Sequence, residues 1–508
     1  MGVDAVVIGA GHNGLVAATL LARAGWSVEV LERAPVAGGA IGSDTTDRGY
    51  VHDWGSAFYG VLHTSPVLAE LGLDRQVDWA RTDTPVSAVW DPDRPAGVMR
   101  TTAEQTAAGL GADADAWVEL TDWWERIGEP LFAAVLGPVG APGPLLRAGR
   151  SLSGVREALQ VMRTMLEPVE AFTTQRFSTD AARLLFAGNA THADVGIDAA
   201  GSTPPALLLA MAAQTRGMPV PVGGARVLAA AMVAAAEQAG VVVRTGVEVT
   251  RVVVRRGRAA GVVTADGEGI AARRAVVADV APHVLARDLV GEQHLPADWL
   301  ASLRRHRWTS GYFRLDVDLD GPAPWRDERL RDSTVVHVSG DLDEMAMSQA
   351  QVRRGRLPEL PQLILGQQDR ADPTRVPPGG AGLWVECHCP ARPVDAPQDW
   401  AQPFAERMLD RIEEHAPGLR SRVVDTTVTT PLDLQHRDPN LVGGDVGGGS
   451  AAPDQLLVFR PVAGWSSYRL PVSGLWMCGS ASHPGGGVHG LCGRNAAKAV
   501  LRVDRFGL

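Results

Sequence analysis

The run Gly9-Ala10-Gly11-His12-Asn13-Gly14 constrains the fold more than any other feature, because of what stands on either side of it. Ahead of it, Asp4-Ala5-Val6-Val7-Ile8 is a short apolar run of the kind that makes a buried parallel strand. After it, Leu15 to Ala24 supplies a helix, Gly25 stops that helix, and Trp26 to Leu31 makes a second strand ending at Glu32. This is one complete βαβ unit. In such a unit the first glycine allows a tight turn, the second lets a pyrophosphate approach the backbone, and the third lets helix and strand pack closely. The helix N-terminus then offers unpaired N–H groups to the phosphates. Glu32, eighteen residues after Gly14, stands where a carboxylate accepts from both ribose hydroxyls. An acid there argues against a 2′-phosphate, hence FAD or NAD and not NADP.

The far end of the chain separates those two. Cys478-Gly479-Ser480-Ala481-Ser482-His483-Pro484-Gly485-Gly486-Gly487-Val488 turns into an Ala-rich helix expected from about Val488 to Val503. Such a turn aims the positive end of a helix at something electron-rich, as a flavin's N1 and C2 carbonyl become on reduction. Between the ends, Val36 onward reads as a loop with Gly38, Gly39 and Gly42, and His52-Asp53-Trp54-Gly55-Ser56 as a turn. Residues from about Leu73 to Gln214 read as mostly helical, with patterns over Thr101 to Leu110, Ala116 to Trp124 and Val155 to Leu166. A helix over Val227 to Gln238 precedes a hairpin of Val247 to Arg255 with Gly261 to Thr264, and Ala275 to Ala278 is a buried strand reaching Asp279. Gly311 to Val317, Ser333 to Val338, Gln362 to Leu365 and Leu383 to Cys389 suggest a second sheet. Gly443 to Gly449 reads as a flexible loop.

Composition removes several classes. Across 508 residues, 45% are apolar and 21% charged, as in a folded globular protein of two or three lobes. With a formal net charge of −10 and no Lys/Arg block, nucleic acid is not an expected partner. Cys387, Cys389, Cys478 and Cys492 show no CxxC spacing, so no metal site is expected and a reducing cytoplasm is the expected compartment. In the strand Trp384 to Cys389, alternation puts both sulfurs on one face and His388 on the other. The longest purely apolar stretch, Val227 to Ala236, is well short of the roughly 18 residues a membrane span needs. The first residues carry no basic region or cleavage site, so neither export nor a lipid anchor is expected.

The blocks Val6 to Gly39, Pro219 to Asp279, Asp454 to Arg469 (with Arg460-Pro461-Val462-Ala463-Gly464-Trp465) and Gly479 to Ala497 together resemble the FAD-dependent phytoene desaturase-like branch of the amine oxidase superfamily. Within it they are most similar to the pyridine nucleotide-disulfide oxidoreductase domain-containing protein 2 type. The resemblance implies an α/β fold: a discontinuous Rossmann-like FAD-binding domain of the glutathione reductase/amine oxidase type, with an inserted α+β substrate domain. Its three FAD-binding segments would be residues 1–72, 215–290 and 465–508. Residues 73–214 would be a mostly helical substrate or cap region, and 291–464 the substrate-domain sheet and helices. Gly9, Ala10, Gly11, His12, Asn13 and Gly14 would hold the pyrophosphate, Glu32 the adenosine ribose and Arg33 the adenine side. Gly38, Gly39 and Ala40 would line the pyrophosphate and ribityl chain, and Gly55 and Ser56 would approach the flavin. Val249 would bond the adenine through its backbone, while Gly479, Ser480 and Val488 hold the ribityl and pyrimidine end; Asp279 and Gly487 complete the cofactor set. Ala40 departs from the Arg many relatives carry, and Ser480 from the acid many flavoproteins use.

A flavin accepts two electrons, so the protein must supply placement and a dry pocket, with a base as an open further requirement. Neither a second nucleotide fingerprint nor a CxxxxC redox pair is present, which favours an oxidase or desaturase passing electrons to oxygen or a quinone. The candidate catalytic groups are His52 and His483, each with the alternative of simply bonding backbone in a glycine loop. Trp465 and Tyr468 could wall the flavin or fill core. The expected reaction is desaturation of a lipophilic small molecule by hydride transfer to flavin N5, with amine oxidation or alkene isomerisation as variants. Such a substrate leaves peripheral membrane contact open, and the oligomeric state is open too. A reading of another class is a non-catalytic binding protein like the Rab GDP-dissociation inhibitors. An intact Glu32, pyrophosphate turn and C-terminal loop favour the enzyme.

Overall fold

The computed structural model describes residues 2–139, 142–394 and 396–506. Its first sheet is built around Val3–Ile8, which lies between Val28–Leu31 and Gly269–Ala278 and runs parallel to both, with Val7 opposite Val30 and Val277. Val242–Arg244 extends one side in parallel, and Leu475–Met477 extends the other. The antiparallel hairpin of Val249–Arg255 and Arg258–Thr264 joins through the first half of Gly269–Ala278. Parallel strands are covered on both faces, and this explains why Ala5, Val6 and Val7 are all fully buried. Ala5 and Val7 enter the core under the helices His12–Arg23, Ala225–Gln238 and Leu491–Phe506; Val6 and Ile8 enter a second core with Leu285 and Trp299.

The second sheet runs in the order Val423–Thr429, Gly311–Leu319, Ala381–Cys389, Leu363–Gly366, Ser333–Val338, Thr84–Val89, Gly97–Val98. All its pairings are antiparallel except Ser333–Val338 with Thr84–Val89. One face packs on the helix Ala401–His415, where Phe313, Leu315, Val385, Cys387 and Cys389 meet Phe404 and Met408. The opposite face carries Tyr312 and Trp384 toward the helical layer that includes Thr203–Arg216. Cys387 and Cys389 are thus buried on one face, as alternation requires.

Three local expectations change. Thr84–Val89 and Gly97–Val98 belong to this sheet although they lie in the stretch read as mostly helical; Pro85 within the first is a residue that sequence patterns count against a strand. His52 is not in a turn but in Val51–Asp53, which pairs antiparallel with Ser43–Thr45. The last helix begins at Leu491 and not at Val488, because Gly490 turns at φ +66° and the Leu491 N–H donates to His489 Nδ1 instead of to a helical partner.

The hairpin of Ser43–Thr45 and Val51–Asp53 joins the two sheets. Fully buried Asp53 pairs with Arg375 at 2.7 Å and accepts from Ala225 N and Ser43 Oγ. Its carbonyl accepts from Arg314 Nη1 and Trp384 Nε1 of the second sheet.

Candidate functional site

A cavity of about 1820 Å³ runs from the glycine turn of the first sheet to the face of the second. Ligand pockets are usually about 300–1,000 Å³, so this one has room for a dinucleotide and a second molecule.

At the end formed by the glycine turn, the backbone is packed too closely for any side chain. Gly9 has φ +92°, and a Cβ on Gly14 would stand 2.3 Å from the Gly9 carbonyl oxygen. A Cβ on Gly11 would stand 2.7 Å from Asp279 Oδ2, so Gly11 is kept bare by a protein carboxyl as well as by any ligand. Gly9, Gly11, His12 and Asn13 line the cavity where His12–Arg23 begins, and the first turn of that helix has N–H groups with no helical partner. Ala10 and Gly14 sit one layer back: the Ala10 N–H donates to Glu32 Oε2 at 2.7 Å and the Gly14 N–H to Asp279 Oδ2 at 2.8 Å. Glu32 Oε1 accepts from Ala34 N at 2.8 Å. Each Glu32 oxygen keeps a second lone pair, and Glu32 and Arg33 both border the cavity. Burial pushes the Asp279 carboxyl up to about 7, helped by Asp438 and Glu32 and opposed by the Gly14 N–H. Burial likewise lowers His12 to about 4, leaving it a neutral imidazole.

Toward the middle, Ser56 N donates to the Ala40 carbonyl at 2.9 Å, which folds Gly55 and Ser56 onto Gly39 and Ala40; all four border the cavity. Gly38 does not; its N–H donates to the Ala10 carbonyl. Val249 and Asp279 line the cavity from the first sheet, and Ser480, Gly487 and Val488 from the C-terminal loop. Gly479 lies behind them, where a Cβ would meet Asp279 Oδ1 at 2.9 Å.

Sequence reasoning missed two further supports of this end. The segment Arg437 to Asn440 reaches over from the second lobe, with Asn440 Oδ1 accepting from Ala281 N and its Nδ2 donating to the Asp279 carbonyl. Arg460 is fully buried and donates to the carbonyls of Gly447, Gly448, Gly449, Ser450 and Ser480. The loop read as flexible is therefore pinned by one guanidinium to the loop carrying Ser480.

The other end of the cavity is the second sheet. Trp384, Glu386 and His388 alternate onto its cavity face, next to Tyr312 and His192. Burial pushes the Glu386 carboxyl up to about 8, with Arg314 opposing and Asp316 reinforcing the shift. Tyr312 OH donates to the His192 carbonyl at 3.0 Å, and the ring of Tyr312 lies 4.2 Å from that of His388. Strand periodicity was the available signal; it placed His388 on the face opposite the cysteines but was not extended to Trp384 and Glu386.

The two histidines expected to act in catalysis part company. His52 does not line the cavity. Its position in the hairpin turns it to the second sheet, where Nε2 meets Asp318 Oδ1 at 2.6 Å and Asp316 lies 3.7 Å from Nδ1. Burial disfavours its charge, yet Asp318 and Asp316 outweigh burial and its pKa is raised, the mark of an ion pair bridging the lobes. His483 does line the cavity, with Nε2 bonded to the Gly137 carbonyl at 2.8 Å and its pKa lowered by burial. Trp465 and Tyr468 border no part of the cavity; Tyr468 is core of the first lobe and Trp465 packs against the second face of its sheet. Among the described residues no group of His, Cys, Asp and Glu is arranged to hold a metal, and no helix is long and apolar enough to cross a membrane.

The pattern of the flavin containing amine oxidoreductases matches residues 14–378. The chain is 30% identical to mouse pyridine nucleotide-disulfide oxidoreductase domain-containing protein 2, over 98% of this chain and 93% of that protein. It is 26% identical to a neurosporene-forming phytoene desaturase of Cereibacter sphaeroides, over 98% and 94%. Cyclohexylamine oxidase from Brevibacterium oxydans shares the fold, with a TM-score of 0.59 at 16% identity over 99% of this chain and 100% of that one. The chain therefore belongs to the flavin containing amine oxidoreductase family and is an FAD-dependent oxidoreductase.

Proposed function

We propose that this chain dehydrogenates a lipophilic small molecule, desaturating a C–C bond and passing the electrons on to oxygen or a quinone. When bound, FAD supplies the two-electron acceptor for that reaction at its N5. In this reading residues 1–72, 215–290 and 465–508 build the flavin domain, and residues 73–214 and 291–464 enclose the substrate. The bare glycine turn and the first N–H groups of His12–Arg23 hold the pyrophosphate, with Ala10, Gly14 and Gly38 supporting from behind. Glu32 holds the adenosine ribose with the lone pairs that Ala10 N and Ala34 N leave free. Arg33 and Val249 flank the adenine. Gly39, Ala40, Gly55, Ser56, Ser480, Gly487 and Val488 line the ribityl and ring end, with Gly479 behind. What supports this fit is the chemistry of the donor set: open N–H groups where a diphosphate is needed, and a half-used carboxylate where hydroxyls are needed.

The observation that carries the substrate class is the second half of the cavity. Beyond the flavin loops Phe132, Leu136, Met165, Leu208 and Trp384 give it apolar wall, which suits an apolar body. The desaturase relatives, similar over almost the whole chain, accord with this. The four cysteines are unpaired and buried, in accord with a reducing cytoplasm.

The test is the visible spectrum of the purified protein during anaerobic addition of candidate reductants. Flavin bands that bleach with a lipophilic alkene-bearing substrate and not with NAD(P)H are the expected result. Bleaching by primary amines alone would replace desaturation with amine oxidation.

A further inference from the structure

In the strand Ala381–Cys389, Leu383, Val385, Cys387 and Cys389 pack under the helix Ala401–His415, so their neighbours Trp384, Glu386 and His388 stand on the cavity side. Glu386 is only 7% exposed, and its carboxyl group has no hydrogen-bond or ion-pair partner among the described residues. The cation directly across the ladder, Arg314, is committed elsewhere: Nε to Asp316 at 3.2 Å, Nη1 to the Asp53 carbonyl and Nη2 to Thr429 Oγ1. Two residues along, His388 Nδ1 meets Ser310 Oγ at 3.0 Å while its Nε2 is buried without a partner. Tyr312 is taken by the His192 carbonyl, and His192 by His337 at 3.1 Å.

Buried polar groups are nearly always satisfied, and an orphan costs free energy until something bonds it. Here the unpartnered Glu386 carboxyl borders the chamber, with the buried His388 Nε2 two residues along the same strand also unbonded, in a lining that is largely apolar but includes His192 and Asp194. A carboxyl group held in such a place is neutral, and a neutral carboxyl has an O–H to donate. An ammonium would instead require an ionised carboxylate beside Asp316, with both charges stripped of water.

We propose that Glu386 and His388 form the polar end of the substrate site, and that the substrate is an apolar molecule bearing a carbonyl or hydroxyl oxygen that accepts a hydrogen bond from the Glu386 carboxyl group. The proposal rests on the reading of the cavity as the site of a lipophilic substrate. Glu386 then acts by recognition: it sets which end of an otherwise featureless apolar molecule lies against the sheet, and so which C–H bonds lie toward the flavin loops. A site built to hydrogen-bond an oxygen discriminates against the analogue that lacks it, because the buried group is then left unpaired.

The test uses the flavin-loaded protein and three probes of matched length: nonan-2-one, 1-nonene and nonylamine. Affinity is read from the perturbation of the flavin absorption spectrum, and flavin content reports folding of each variant. The wild-type protein is expected to bind the ketone ~10-fold more tightly than the alkene, the worth of one buried hydrogen bond. Glu386→Leu should bring that ratio close to one, and Glu386→Gln, which keeps a donor, should retain most of it. Equal binding of ketone and alkene by the wild type, an unchanged ratio in Glu386→Leu, or a preference for the amine would each overturn the proposal while leaving the lipophilic site in place. Binding of none of the three would overturn both.

Discussion

Glu32 and Glu386 are both buried acids lining one cavity, and they behave in opposite ways because of their neighbours. Glu32 is surrounded by donors: the N–H groups of Ala10 and Ala34 each give one bond to a different oxygen. A glutamine there has a single acceptor oxygen, so its NH₂ is set against one of those two N–H groups. Glu32→Gln is therefore expected to weaken FAD retention by ~10- to 100-fold, the range for a lost charge-assisted bond; flavin released on dilution measures it. Glu386 has no donor facing it, and burial moves its pKa from 4.5 to about 8, against the pull of Arg314 and with the push of Asp316. The sign follows. Between those two values the native state keeps a proton that the unfolded chain has lost, so ionisation favours the unfolded chain increasingly as pH rises. Glu386→Gln should thus stabilise the protein by an increment that grows by up to about 1.4 kcal/mol per pH unit from pH 4.5 to 8 and is absent below 4.5. Urea denaturation at pH 5 and pH 8 measures it, and equal increments at the two pH values would refute it. Of these two residues only Glu32 was legible in the sequence, because its meaning lies in its distance from Gly14. Glu386 lies on a strand whose alternation was visible, but nothing in that alternation shows that its face borders a cavity.

At the scale of elements, the hairpin of Ser43–Thr45 and Val51–Asp53 does work that its three-residue strands do not suggest. Arg375 is held by Asp53, Asp372 and the Pro221 carbonyl, and is 1% exposed. Arg375→Met leaves the Asp53 carboxylate buried without its cation, and is expected to cost ~3–5 kcal/mol. Adding Asp53→Asn should recover part of that loss, because the uncompensated charge is gone; chemical denaturation of the single and double variants reads both. Sequence patterns located most elements of the chain. Val155–Leu166 lies where its periodicity places it, and the hairpin after Val247 forms around Arg256 and Gly257, both at positive φ. They failed where a neighbour from far along the chain overrode the local preference: Thr84–Val89 tolerates Pro85 because Ser333–Val338 pairs with it in parallel. The last helix is delayed to Leu491 by a glycine turn that Val67 and Val16 pack against.

For the whole molecule, the site is the seam between two seven-stranded sheets. Residues from both lobes, among them Gly9, Gly11, Asn13, Arg437, Asn440, Trp384 and Glu386, border the same cavity. A ligand held there is bonded by both lobes, so FAD should raise the unfolding midpoint of the entire chain in one transition. The expected stabilisation is about 2.7 kcal/mol at a free FAD concentration of 100 Kd. Calorimetry with and without FAD measures it, and a second transition that FAD leaves in place would show that the lobes unfold separately. By itself the sequence determined the βαβ unit and the type of most strands and helices, because each of these depends on contacts within a few tens of residues, and it indicated the class of cofactor because the two glycine turns at opposite ends of the chain are each legible as local motifs. Only the tertiary structure decided that Asp279 lies beneath the glycine turn, that His52 leaves the cavity for Asp318, and that Glu386 enters it. Those placements join residues hundreds of positions apart, and packing, which no local spacing encodes, selects among them.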